Sequence, residues 1–207
     1  MLVKKLLCLT IAICLAVIAI PAFSANPEPP KNTLVATQDY KNVVDNSWTN
    51  LEFPKNIQPA GLYYVELSNI VGTIGCWGSK KNPYEDGPDK ELLIAWQDGA
   101  PLGDGNSDFK LQYRPNKLKT WVELIIIAAQ AAISDIWNPF ALHSAQESIG
   151  QTFLALESFD GVGLSTPTWN SANSGCTMTL YSAEGGKQPV EPGGKLSVRW
   201  SEIKAGF

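Results

Sequence analysis

Histidine is almost missing from this chain, with His143 alone among 207 residues, and cysteine is scarce at four. No run of cysteines and histidines falls at metal-ligand spacing, and no glycine-rich loop of the phosphate-cradling kind occurs. These absences exclude cysteine-rich metal clusters, nucleotide-loop chemistry and any scheme that needs two imidazoles. His143 is followed at once by Ser144, and adjacent residues rarely form a nucleophile and base, which must aim two side chains at one point. Hydrolysis by facing carboxylates has raw material in Glu66, Glu85, Asp86 and Glu157, but nothing in their spacing brings two together. A weak hydrolase is therefore the last of three readings.

Basic residues are also in short supply. Lys4 and Lys5 precede an apolar run from Leu6 to Ile20, and Pro21 to Ala25 supplies small residues for cleavage, so residues 1–25 read as an export signal. Of the 16 basic residues these two leave with the leader, so 14 face 20 acids and the balance is −6. That argues against nucleic acid and anionic membrane surfaces as partners, since both require a basic patch. The expected location is secreted or periplasmic. Cys8 and Cys14 go with the leader, and Cys14 lacks the small-residue pattern of a lipid-anchored cysteine. Cys76 and Cys176 remain, and two cysteines in an exported chain are expected to form one disulfide. Closing a loop of about 100 residues would stabilise the fold by roughly 4–5 kcal/mol.

Residues 26–33 read as a proline-rich tether, beginning Asn-Pro-Glu-Pro-Pro. Beyond it, short segments rich in β-branched and aromatic residues lie near 34–43, 48–53, 61–69, 73–78, 91–97 and 107–114, separated by turn signals such as Asp45-Asn46 and Asp98-Gly99. This spacing predicts an antiparallel sandwich. Phe109, Leu111 and Tyr113 alternate with Lys110, Gln112 and Arg114, so the first three point inward and the others to water. From 118 to 136 the texture becomes alanine-rich and helical, with Asn138-Pro139 as its stop. As a membrane span this stretch is barely long enough and carries Glu123, Gln130 and Asp135, so a helix packed on the sandwich is expected. The apolar run Leu124 to Ile127 also allows a surface that meets a protein partner. Strand texture returns near 149–156, 161–166, 175–183 and 195–203. Cys176 shares a face with Met178 and Leu180, and Leu196, Val198 and Trp200 make a similar inward row.

Gln151-Thr-Phe153, Pro167-Thr-Trp169, Asp45-Asn-Ser-Trp48 and Gly61-Leu-Tyr-Tyr64 match in type and spacing a known pattern. The chain resembles the jelly-roll accessory modules of secreted bacterial glycoside hydrolases and related surface proteins, across most of its mature length. The stretch that resembles the closing half of such a module comes first, however. The resemblance therefore implies one circularly permuted jelly roll over 34–207, its halves joined by the helix, with pieces of two adjacent repeats as the alternative. Such modules often carry an aromatic where Cys76 stands, which fits a paired substitution with Cys176. The fold expectation is thus all-β, an antiparallel jelly-roll β-sandwich with one apolar α-helix inserted between its two halves. The functional expectation is a non-catalytic module that binds a polysaccharide or glycoconjugate.

The residues offer a platform for that role. If "GLYYVELSNIVGTIGCWG" from Gly61 is a hairpin turning at Ile70-Val71, Val65 lies opposite Cys76, Leu67 opposite Ile74 and Tyr64 opposite Trp77. Tyr63, Val65, Leu67, Ile74 and Cys76 then point inward, and Tyr64, Glu66 and Trp77 outward, with Trp48 outward on its own strand. Outward rings beside acids and amides suit a sugar, whose C–H face stacks while its hydroxyls hydrogen-bond. Tyr84, in an acidic loop, joins the candidate set; burial of these rings under a loop or the helix is the competing reading. No cofactor is expected, apart from a structural Ca²⁺ for which Asp104, Asn106 and Asp108 place oxygens at alternate positions, a layout that also reads as a plain turn. The reading from another class is a structural or protein-interaction module that uses the helix or a sheet edge.

Overall fold

The computed structural model describes residues 28–79, 94–102, 108–123 and 138–183. These residues are all-β, with antiparallel pairing throughout and no helix among them. The export signal, Tyr84, Asp104, Asn106 and the expected strand at 195–203 lie outside the described residues.

The largest sheet has six strands. Its order is β1 (Thr33–Tyr40), β13 (Gly175–Ser182), β3 (Gly61–Val71), β11 (Ile149–Ala155), β5 (Ala95–Gln97) and β6 (Ala100–Pro101). A four-stranded sheet runs β2 (Ser47–Glu52), β12 (Phe159–Thr166), β8 (Leu111–Pro115) and β9 (Val122–Glu123). A three-stranded sheet runs β10 (Asn138–Leu142), β4 (Ile74–Ser79) and β7 (Asp108–Phe109). The two smaller sheets meet at Lys110, whose N–H donates to Trp77 O at 2.7 Å while its carbonyl accepts from Ser165 N at 3.0 Å. Strands from before and after residues 124–137 alternate within the sheets: β3 lies between β13 and β11, and β12 between β2 and β8.

Period-2 alternation explains the core. Tyr63, Val65 and Leu67 of β3, Phe153 of β11, and Cys176, Met178 and Leu180 of β13 project from one sheet. They pack with Leu51, Ile74, Cys76, Phe109, Leu111, Tyr113, Val162 and Leu164 from the others in a single buried cluster. The inward rows expected on 63–67, 74–76, 109–113 and 176–180 are therefore present. Phe159 sits where the sheets meet. Its ring lies 4.8 Å from Tyr63, 5.5 Å from Phe53, 6.0 Å from Phe153 and 6.1 Å from Tyr113, edge-on to each. Edge-to-face contacts of this kind add to what area burial supplies.

Four expectations are corrected. First, β3 and β4 do not form a hairpin. β3 continues to Val71, Gly72 takes φ +68°, and the chain leaves for a different sheet. Both edges of β3 are already occupied by β11 and β13, so β4 has no edge to add to. Second, the helix does not start at 118. Lys119 has φ +54°, Val122–Glu123 pairs with Gln112 and Tyr113, and residues 124–137 lie outside the described set. Contacts of Lys119 with Asp160 and of Trp121 with Gly161 outweigh local helix propensity there. Third, Asn138-Pro139 begins a strand: β10 lies at a sheet edge, where proline's missing N–H is tolerated.

Fourth, Cys76 and Cys176 are free thiols, both buried. They stand on different sheets and both line the same buried cluster. Burial, with Cys176 nearby as a second cause, pushes the Cys76 thiol well up; burial and the charge of Asp39 push Cys176 up to about 12. Little thiolate is present at neutral pH, which slows exchange and oxidation.

Two measurements check this packing. Phe159→Ala is expected to cost about 3–5 kcal/mol in a denaturant titration, as for large buried aromatics. Alkylation without reductant is expected to spare Cys76 and Cys176 in the native protein and to label both once it is denatured.

Candidate functional site

The outward face of the four-stranded sheet is an ordered lattice of polar and aromatic side chains. Cross-strand register sets its rows: Trp48 opposite Ser165; Asn50 opposite Gly163, with Gln112 and Glu123 beyond; Glu52 opposite Gly161. The middle strand contributes Gly161 and Gly163, whose missing side chains make room for the Trp121 ring and for the Asn50 and Gln112 amides. Gln112 Nε2 donates to Asn50 Oδ1 at 2.7 Å across Gly163, where an added methyl would meet Asn50 Oδ1 at 2.0 Å. Gln112 is buried although it lies on the outward side, because this bridge covers it.

Charges line the lattice. Lys110 Nζ stands 5.4 Å from the Trp48 ring centroid and 3.6 Å from Glu123 Oε1. Arg114 pairs with Glu52 at 2.7 Å and Asp160 at 2.6 Å, and its guanidinium lies 5.3 Å from the Trp121 ring centroid. Asp160 is buried and also takes an ion pair from Lys119. Burial pushes the Asp160 carboxyl up, but hydrogen bonds from Lys119 and Arg114 outweigh it and hold the group below the usual carboxylate range.

At the other end of the face stand Trp77 and Trp169. Trp77 Nε1 donates to Asn46 Oδ1 at 2.9 Å. Trp169 is 45 % exposed and holds φ +51°, an unusual conformation for a bulky residue. Asp45 supports it: Oδ1 accepts the Thr168 N–H at 2.6 Å and the Trp169 N–H at 2.8 Å. The Thr168 bond is the chief reason the Asp45 carboxyl titrates below its ordinary range. The Trp169 ring lies over Gly75, where a methyl would stand 3.1 Å from Cη2, and Trp77 follows two residues along the same strand.

The expected platform is thus divided. Trp48 and Trp77 lie half-buried on the outward side of the smaller sheets. Tyr64 and Glu66 lie on the far side of the molecule's largest sheet and are buried, Tyr64 in a second cluster with Ile94, Trp96 and Tyr181. Tyr64 was expected opposite Trp77, but that pairing depended on the hairpin that does not form; it pairs with Thr152 and Tyr181. Asp108 begins β7, its backbone paired with Ser79. Trp169, Asn50 and Gln112 were not singled out as site residues. Trp169 stands in a motif that carries the resemblance, while Asn50 and Gln112 became neighbours only through pairing with β12.

His143 and Ser144 do not form a catalytic pair. Ser144 Oγ donates to Gln146 Oε1, and His143 Nδ1 faces Thr73 Oγ1 at 3.4 Å. Among the described residues no cluster of three or more His, Cys, Asp or Glu is arranged to hold a metal, and no helix is long and apolar enough to cross a membrane. No family model, curated protein or solved structure matches the chain.

The buried Asp160 carboxylate has a testable pH signature. Its native pKa is depressed, so the stability it contributes is present above its unfolded pKa of about 3.9 and lost as pH falls through the native value. Asp160→Asn is expected to cost about 2–3 kcal/mol at pH 7, as for hydrogen bonds to charged groups. Melting temperature followed from pH 7 downward should show wild type and variant converging below about pH 4.

Proposed function

We propose that the chain is an exported, non-catalytic jelly-roll β-sandwich module, circularly permuted, that binds a glycan on the outward face of its smaller sheets. Trp169, Trp77 and Trp48 act as stacking rings, and Asn50, held in place by Gln112, supplies an amide for sugar hydroxyls. The observation that carries this reading is Trp169: a large ring left 45 % exposed, in a backbone conformation that needs the Asp45 carboxylate to hold it. Unfavourable φ/ψ values persist where the surroundings enforce them, and they concentrate at ligand-binding sites. The fixed Asn50–Gln112 amide pair supports the same reading, since a binding site needs a few precisely placed polar groups beside its apolar surface. The sequence resemblance to glycan-directed accessory modules and the leader-like first 25 residues add to it.

Retention of the chain, freed of residues 1–25, on insoluble polysaccharides and a glycan array tests the proposal. Trp169→Ala and Trp77→Ala should each weaken binding about tenfold, equivalent to about 1.4 kcal/mol and within the range for lost aromatic contacts. Far-UV circular dichroism should be unchanged in both variants. Unaltered retention in both, or no retention of the parent chain on any glycan, would sink the reading and favour a protein-interaction module.

A further inference from the structure

Glu66 occupies an unusual position. It lies on β3, the strand paired on both sides in the six-stranded sheet, and its side chain is only 7 % exposed. A carboxylate so placed requires partners that replace water. It has two. Tyr64 Oη donates to Glu66 Oε1 at 3.3 Å, and Lys31 Nζ reaches the same oxygen at 2.6 Å.

The surroundings of that ammonium form a cage. Lys31 Nζ stands 5.7 Å from the centroid of Tyr64 and 5.8 Å from that of Tyr181. The two rings are stacked on each other at 6.2 Å. Both distances fall within the reach of cation–π attraction, about 6 Å. Tyr64 itself is fixed from two sides. Trp96 meets it edge-on at 6.4 Å, with its own Nε1 bonded to Thr152 at 2.7 Å. Gly150, the residue opposite Glu66 on β11, gives the phenol its room, since a methyl there would lie 2.3 Å from Tyr64 Oη. Burial first, and the Glu66 charge second, push the Tyr64 phenol far above its ordinary range, so it stays a donor.

Receptor and occupant differ in kind. Glu66, Tyr64 and Tyr181 stand on paired strands and are held by register. Lys31 precedes the first strand and its side chain is 38 % exposed. The segment is fastened to the sheet just beyond it, where Asn32 N donates to Ser182 O at 3.1 Å. A preformed carboxylate and aromatic box on the sheet is thus filled by a cation from a flanking segment.

We propose that Glu66, Tyr64 and Tyr181 form a binding site for a primary alkylammonium group, and that Lys31 occupies it as an intramolecular competitor. The site lies on the opposite sheet from the glycan face and does not depend on that assignment. A tethered lysine competes at an effective concentration of about millimolar. An outside amine therefore gains the site only when the segment around Lys31 is displaced.

Chemical rescue tests this. Lys31→Ala keeps Cβ and removes what n-propylammonium replaces. In Lys31→Ala, n-propylammonium chloride is expected to bind one per chain with a Kd of about 1–100 mM, the weak affinity that one charge-assisted hydrogen bond and two cation–π contacts support. It should raise the melting temperature above that in equal sodium chloride. Wild type should show neither effect, because Lys31 fills the box. Lys31→Ala with Glu66→Gln should show neither, because the carboxylate is gone. Tetramethylammonium, with no N–H to donate, should bind Lys31→Ala more weakly. Absence of saturable binding to Lys31→Ala, or equal binding to the double variant, overturns the proposal. Should Lys31→Ala fail to fold, NMR of the Lys31 ammonium in wild type decides. Slowed proton exchange and ring-current shifts, both abolished by Glu66→Gln, support the cage, and a solvent-like signal overturns it.

Discussion

Strand β3 is enclosed in every direction open to a strand. β13 and β11 saturate its two edges, Tyr63, Val65 and Leu67 fill the main core on one face, and Tyr64 and Glu66 are covered on the other. The backbone N–H and C=O groups of its paired length are thereby satisfied without water, as burial on both faces demands. Much else follows from this enclosure. β4 has to cross to another sheet, and a carboxylate on the outer face has to recruit a cation. With β4 removed from β3, the tryptophan it carries stands on a different surface from Tyr64.

The features legible in the sequence are those that alternation alone decides. The inward rows Phe109, Leu111, Tyr113 and Cys176, Met178, Leu180 required no knowledge of partners, because side chains two apart share a face whatever the strand pairs with. Pairing is another matter. Two strands separated by Gly72-Thr73 look like a hairpin, and only the prior claims of β11 and β13 on β3 forbid it. The stretch after Leu118 misled for a related reason. Its helix-forming residues begin beside Asp160, whose buried charge draws Lys119 into a left-handed turn. Asn138-Pro139 reads locally as a stop and serves in the fold as the start of an edge strand.

Aromatic residues were the least informative type for locating a surface. Tyr64 and Trp77 obey the same outward parity, yet one is sealed under Trp96 and the other stands beside an exposed ring. What separates them is which segment passes overhead, a property of the whole topology. The glycines carried a clearer message. Gly161 and Gly150 each admit a ring, Trp121 and Tyr64, that any side chain would displace, and Gly75 admits the backbone of Phe140.

The pairing of β1 with β13 has a mechanical side. Thr33 lies directly opposite Ser182, and Tyr40 opposite Cys176. The chain therefore comes into one strand at the same end where it leaves the other. Tension carried through the flanking segments would load that end alone and part the ladder pair by pair, like a zip, with little of the shear resistance that strands loaded from opposite ends offer. Its first points of failure would be the Asn32 contacts with Ser182 and Ala183, so a pull on the segment bearing Lys31 would withdraw the lysine from Glu66 before the sheet itself gave way.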